Sequence, residues 1–189
     1  MRNKSILLTS VVFLMLLVVA CHKSNSGGSS SGPLVGNWNF INMNAHTQAT
    51  TNAGPGITSV SVSNYITKDN TGTIQFTKDS MAITNLSYTV DTTFTTYFYV
   101  AGVFTDSVVT PISTSLPATS ATVQYQVIGS DSIYFPNGGI LPQGLTGNGQ
   151  GTGATYVLSG NTLTLTSAVS DTSNGVIEVG KAVITLQKQ

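Results

Sequence analysis

The side chains most used in acid–base, nucleophilic and metal chemistry are few in this chain: one Cys, two His and seven carboxylates in 189 residues. A nucleophilic triad needs a His within hydrogen-bond reach of a Ser or Cys, with a third group to orient it. His22 adjoins Cys21 in a Gly/Ser-rich run, and His46 stands near the end of an expected strand without a local Ser or Asp motif, so neither composes a triad. Zinc needs three or four Cys, His or carboxylate ligands, a set these scattered residues do not supply. The run "KDNTG", Lys68 to Gly72, has a faint likeness to a calcium loop but lacks the carboxylates that complete one. Asp69 and Asp79 therefore read as solvated turn residues flanking a strand. Asp91, Asp106, Asp131, Asp171 and Glu178 are isolated in sequence, with nothing to pair two of them as acid and base. Gly147, Gly149, Gly151 and Gly153 in "GLTGNGQGTG" precede a strand pattern and not the helix that a phosphate-cradling loop requires. That segment reads as a long loop between strands, of a length that serves elsewhere as a lid. The expectation is a non-enzymatic protein with no catalytic residue, no metal ligand and no cofactor; its ligand-binding residues are not assigned by the sequence.

Cys21 has a different setting. Residues 1–20 place a basic start (Arg2, Lys4) before an apolar core from Ile6 to Val19 and a small residue, Ala20, which is the layout of a secretory signal. The core is about 15 residues long, short of the roughly 20 that a membrane-crossing helix needs, and this favours a cleaved leader. The order Val18-Val19-Ala20-Cys21 resembles the lipobox of bacterial lipoproteins. That resemblance implies cleavage between Ala20 and Cys21, a diacylglycerol thioether on the Cys21 sulfur, and often a further acyl chain on the new amine. One acyl chain gives marginal membrane binding, whereas two or more hold a protein there. From Cys21 to Pro33 the chain is the lipidated Cys and a tether, "HKSNSGGSSSG" from His22 to Gly32, whose root-mean-square reach is roughly 16 to 20 Å. In some Gram-negative bacteria an Asp after the lipidated Cys retains a lipoprotein in the inner membrane; His22 in that place implies the outer membrane, with the periplasmic face and the cell surface both open.

Charged residues make up 7% of the chain and the formal net charge is zero, against a usual charged share of about a quarter. Without Arg2 and Lys4, five basic residues face seven acidic ones. Nucleic acid is excluded as a partner, because binding it needs clustered Lys or Arg to displace counterions. Polarity is carried by Ser and Thr, together roughly a quarter of the residues, and β-branched Thr suits a half-exposed pleated surface.

Residues 34–189 are the size of one all-β domain. Period-two alternation is clear at Ile74 and Phe76, at Val123, Tyr125 and Val127, and in "NTLTLTS", where Leu163 and Leu165 share a face. Turn signals fall at "KDNTG", at "SGN" (Ser159 to Asn161) and at "DTSNG" (Asp171 to Gly175). About eight strands are expected, near 37–45, 57–67, 72–77, 80–91, 94–109, 121–135, 154–167 and 176–187, several of them open to splitting. An up-and-down antiparallel sheet of that many strands closes into a β-barrel or folds into a β-sandwich, since open edges invite aggregation.

Gly36-Asn37-Trp38, with Leu34 just before, resembles the Gly-x-Trp opening of lipocalins, and especially of the lipocalin-like domains that follow lipoprotein leaders in Gram-negative bacteria. "YVLSGNTLTLTS" (Tyr156 to Ser167) is similar to the penultimate hairpin of that family, and "KAVITLQKQ" to its closing strand. The resemblance implies an antiparallel up-and-down lipocalin-like β-barrel, plugged at one end by Trp38 and open at the other to a small hydrophobic ligand. Trp38, Phe40, Phe76, Tyr125 and Leu163 would form its interior. Lipocalins stack an Arg from the last strand on that Trp; here the only Arg is Arg2, which leaves Lys181 or Lys188 to cover the ring.

"TTFTTYFYVAGVF", Thr92 to Phe104, is apolar on both faces: as one strand it puts Phe94, Phe98, Val100 and Phe104 on one side and Tyr97, Tyr99, Ala101 and Val103 on the other. Either long loops such as Pro111 to Ala121 cover it, or it is an exposed stripe that docks an envelope protein, a glycan or the membrane. A cavity of roughly 300 Å³ or more distinguishes a ligand binder from such an interaction module.

Overall fold

A computed structural model describes residues 32–138, 151–173 and 175–189. Ala20, Cys21, His22, Gly147 and Gly149 lie outside the described residues. Ten strands, all paired antiparallel, form one sheet: β1 (Gly36–Gly54), β2 (Ile57–Ile66), β3 (Lys68–Phe76), β4 (Ser80–Val100), β5 (Val103–Gln124), β6 (Gln126–Ile128), β7 (Ser132–Phe135), β8 (Thr152–Ser159), β9 (Thr162–Ser173) and β10 (Val176–Lys188). The described residues contain no helix.

Ten strands replace the expected eight because the expected 121–135 divides into the end of β5, β6 and β7, and the expected 154–167 into β8 and β9; two of the breaks along the chain, at Thr67 and Tyr125, are one residue wide. On one side β1 pairs with β3 from Gly36↔Phe76 and with β2 up to Gly54↔Ile57. On the other side of these two strands, β4 pairs with β3 from Phe76↔Met81 and with β2 to Ile57↔Val100. β2 and β3 are thus two halves of one long strand between β1 and β4, which is why four strands pair in a ring. Thr67 makes the break: its N–H donates to Met43 O (2.9 Å) and its hydroxyl accepts from the Met43 N–H (2.9 Å). "KDNTG", expected as a turn, is a kink in the continuing strand. Asp69 (φ 51°) and Gly72 (φ 110°) take left-handed conformations, Gly72 lying against Leu86 and Asn85 (φ 51°), and the ladder slips there. A Cβ on Gly72 would stand 2.6 Å from Leu86 Cα, so only glycine lets the two backbones approach.

The second break is Tyr125, between β5 and β6. Its N–H donates to Asp79 O (2.9 Å) and its hydroxyl to Thr77 O (2.6 Å), so it leaves the ladder to hold the turn from β3 to β4. Tyr156 holds the turn from β6 to β7 in the same way, donating from its N–H to Asp131 O (2.6 Å) and from its hydroxyl to Ser130 O (2.8 Å). The sheet therefore runs from β5 through β4, β2/β3, β1, β10, β9, β8 and β7 to β6, and its two outermost members are consecutive pieces of chain. β1 and β10 pair from Trp38↔Lys188 to Thr51↔Val176.

The expected strands at 80–91 and 94–109 and the expected loop at 111–121 are corrected. β4 continues unbroken to Val100, and the chain reverses at Ala101-Gly102, both at positive φ (50° and 78°), as a tight hairpin requires. Pro111 and Pro117 lie inside β5. Among the described residues β5 pairs with β4 alone, and an edge strand has no need of the N–H that proline lacks.

One face of the sheet holds the core. Trp38, Phe40, Phe76, Tyr125 and Leu163 are all buried, as expected, together with Met81 and Leu186. A bulge between Phe40 and Asn42 shifts the inward positions of β1 to Met43 and Ala45. Trp38 is fully buried, donates from Nε1 to Leu34 O (2.9 Å), and has the Lys188 ammonium 5.7 Å from its ring centroid. Of the two lysines expected over the ring, Lys188 takes the place; Lys181 pairs opposite His46 further along β1.

Candidate binding cavity

The core face continues along β4 and β5 into a hollow. The β4–β5 ladder slips between Ile83 and Leu86 and again between Leu86 and Tyr88, and the Asn85 N–H leaves the ladder for Ser120 Oγ (3.0 Å). Slips of this kind bend a strand and re-aim its side chains. Beside them lies a partly open cavity of about 630 Å³. Ile83, Leu86, Val90 and Phe94 of β4, Ile112 and Leu116 of β5, and Tyr65 and Tyr88 form most of its wall. The Tyr88 ring packs on Phe40 (centroids 6.1 Å apart), joining the wall to the core.

Among the described residues no charged one lines the cavity, and the polar side chains of its wall are hydroxyls. Thr92 donates to Asn64 O (2.8 Å) and lies 3.5 Å from Ser63 Oγ, while Ser115 pairs with Thr89 (3.1 Å). Thr119 donates to Pro117 O (2.9 Å). The phenols differ: among the described residues neither the Tyr65 nor the Tyr88 hydroxyl has a hydrogen-bond partner. Tyr88 is 6% exposed. Burial raises the pKa of Tyr65 and pushes that of Tyr88 up to about 12, with the neighbouring Tyr65 acting in the same direction. Both phenols are therefore protonated at neutral pH, and each offers one donor and one acceptor to whatever occupies the cavity.

The residues singled out in the sequence fall elsewhere. His46 is exposed, its Nδ1 2.6 Å from Oδ1 of its cross-strand neighbour Asn64. Asp79 sits in the β3–β4 turn with Thr77, and Asp91 pairs with Lys68 at 3.3 Å on the surface. Among the described residues no three His, Cys, Asp or Glu come together in a way that could hold a metal ion. Of the glycine-rich run, Gly151 lies against the Tyr134 phenol ring, which leaves no room for a side chain, and Gly153 O accepts from Ser167 Oγ (3.0 Å). Gly151 thus serves packing, and Gly153 takes part through its backbone carbonyl.

The aromatic segment is rearranged by the hairpin. Phe104 belongs to β5 and pairs with Tyr99, so it does not continue the Phe94–Phe98 face. Its ring contacts Tyr97 (6.4 Å) and Tyr99 (6.1 Å) on the opposite face. Phe94 lines the cavity; Val103 (66% exposed) and Phe104 (54%) cap the hairpin tip. The cavity wall supplied by β5 was not readable from sequence, because Pro111 and Pro117 there signal a loop. Tyr88 sits in the alternating run Leu86-Ser87-Tyr88-Thr89-Val90, and that alternation is the signal that places it on the inner face; Tyr65 is out of phase with Val60 and Val62 and carries no such signal.

No protein-family model, curated protein or solved structure matches the chain.

Proposed function

We propose that this chain is a non-enzymatic lipoprotein of the bacterial envelope that binds a small, mainly apolar molecule in the cavity between β4 and β5. The observation that carries this is the cavity itself: about 630 Å³, walled by aliphatic and aromatic side chains with a few hydroxyls and no charge. That volume lies within the range of small-molecule sites and is about twice its lower bound. A lipocalin-like closure of the sheet into a barrel is part of the proposal. It is supported by the β1–β10 pairing and by the passage of β5 into β6 through Tyr125. The position of Lys188 over Trp38, where the first and last strands meet, supports it as well.

Anchoring through Cys21 and outer-membrane placement rest on the leader and on His22. Growth with a radioactive fatty acid tests the anchor: label is expected on the wild-type chain and absent from Cys21→Ser, and label persisting in the variant overturns it. Native mass spectrometry of residues 33–189 with envelope lipid extract tests the binding. A retained small-molecule mass is expected, and none across varied extracts overturns the carrier function.

A second function is favoured by one observation, the exposed tip at Val103 and Phe104 with Tyr97 and Tyr99 in tilted and edge-on contact with Phe104. A stripe of that kind suits docking of an envelope protein or a glycan. Serine at both positions 103 and 104 separates the two functions: docking is lost while cavity binding is kept.

A further inference from the structure

We infer that the cavity selects uncharged ligands with an alcohol or carbonyl oxygen on an apolar body, the oxygen being held by the phenols of Tyr65 and Tyr88. This rests on the binding function proposed above and adds the class of ligand. Among the described residues the cavity wall contains no Lys, Arg, His, Asp or Glu. A carboxylate or an ammonium group entering it would lose its hydration without gaining a counter-charge, a cost far above that of a neutral polar group. The ion pair closest in sequence to the wall, Lys68–Asp91, does not line the cavity, and both its members are mostly exposed (61% and 59%) and already paired with each other.

A wholly apolar ligand is disfavoured for the opposite reason. Tyr88 is more than nine-tenths buried, lines the cavity, and has a hydroxyl without a partner. That hydroxyl still meets solvent, since among the described residues the buried side-chain polar atom without a partner is Asn70 Oδ1, and covering it with hydrocarbon would forfeit this contact with water. A phenol both donates and accepts, so a ligand hydroxyl can be met in either sense and a carbonyl oxygen by donation. Of the other cavity hydroxyls, those on Thr92, Ser115 and Thr119 already have partners within the sheet, and that of Thr114, which has none among the described residues, belongs to an exposed residue. The unmet hydrogen-bonding capacity on buried and half-buried side chains therefore falls on the two tyrosines, which orients the ligand oxygen towards the Phe40–Tyr88 end of the cavity.

The test uses residues 21–189 with Cys21→Ser, to keep the chain free of acyl groups, and measures displacement of the neutral fluorophore N-phenylnaphthylamine by decanol, decanoate and decylamine at neutral pH. These probes share a chain length and differ in head-group charge. Decanol is expected to displace the fluorophore at concentrations at least about tenfold below those needed for either ion, a gap of about 1.4 kcal/mol. Tyr88→Phe, which keeps the ring and its packing, is expected to weaken decanol about fivefold and to leave decane unchanged, as loss of one hydrogen bond would; Tyr65→Phe serves as an independent second variant. Decanoate or decylamine binding as tightly as decanol overturns the selectivity while leaving the cavity as a binding site. An unchanged decanol affinity in both phenylalanine variants overturns the role of the phenols. Failure of the fluorophore and all four ligands to bind overturns the binding function together with this inference.

Discussion

Alkaline titration of Tyr88 probes the cavity from the protein's side. In the folded chain its pKa is pushed up to about 12 from an ordinary value of 10.0, by burial first and by the adjacent Tyr65 second. Below about pH 10 the phenol is protonated in both folded and unfolded chains, so it leaves stability independent of pH and its full contribution is present. Between about pH 10 and pH 12 the unfolded chain releases the proton and the folded chain keeps it, and stability falls. With about 1.36 kcal/mol per unit, a displacement of about two units removes roughly 2 to 3 kcal/mol across that window. That is a sizeable share of the 5–15 kcal/mol that typically holds a domain together. Tyr65 and Tyr125 are raised in the same direction, so the wild-type loss alone does not isolate Tyr88, whereas its difference from Tyr88→Phe does. Urea unfolding at pH values from about 8 to 11, alongside phenolate absorbance, measures both quantities. The variant should match or slightly exceed the wild type in slope-free stability near neutrality and lose less stability at the alkaline end. Parallel loss in the two proteins, or a full complement of phenolates titrating near the ordinary value, would refute the claim that Tyr88 lies in a low-dielectric, unpartnered setting.

Three further outcomes follow from the geometry of the strands. Gly72→Ala should destabilise by about 2 kcal/mol or more, read from its urea midpoint, because it adds a Cβ against the Leu86 backbone at a positive φ. Tyr156→Phe should cost about 1 kcal/mol by removing the hydrogen bond to Ser130 O, and hydrogen exchange should show the loosening confined to the turn from β6 to β7. Lys188→Ala should cost about 0.5 to 1 kcal/mol of cation–π attraction and alter the emission of Trp38, the sole tryptophan; an unchanged spectrum would count against the stacking.

What the sequence discloses about this fold follows the periodicity of its side chains. Leu163 and Leu165, or Ile74 and Phe76, alternate with Thr and Gln, and period two leaves only one way for them to be buried. The reversals at Gly160 and Gly175 are legible for the same kind of local reason, since turn chemistry is carried by one or two residues. "KDNTG" misleads because a kink and a reversal use the same residues: left-handed Asp69 and Gly72 serve both, and only the partner strands β1 and β4 decide that the chain continues straight. Pro111 and Pro117 mislead in the other direction. They forbid a central strand but permit an edge, and which strand lies at an edge is a property of the whole sheet. The cavity is legible only in part: Tyr88 is placed on the inner face by its alternation with Leu86 and Val90, but Tyr65 is out of phase with Val60 and Val62, and the hollow beside them comes from the ladder slips at Asn85 and Leu86, which no local pattern announces.

The scarcity of charge and the nature of the cavity have a common origin in the hydroxyls. Across neighbouring strands Ser61 meets Thr96 (2.9 Å), Thr71 meets Ser87 (2.9 Å) and Thr89 meets Ser115 (3.1 Å), so polar side chains satisfy one another along the sheet without ions. Among the described residues one ion pair forms, Lys68–Asp91, and it is exposed. The outer side of β5 is blunted by Pro111, Pro117 and Asp106 where a lysine-rich edge would otherwise serve. A sheet built this way keeps solubility and register with neutral groups, and its inner face inherits the same chemistry. A carboxylate-binding pocket would need at least one inward Lys or Arg; residues 34–189 have four lysines and no arginine, and none of the four lines the hollow between β4 and β5. The preference for neutral ligands proposed above is in this sense a consequence of how the whole strand surface is made. Introducing a single inward lysine, for example at Leu116, should reverse the order of decanol and decanoate without altering the fold elsewhere, and retention of the original order would show that selectivity has another source.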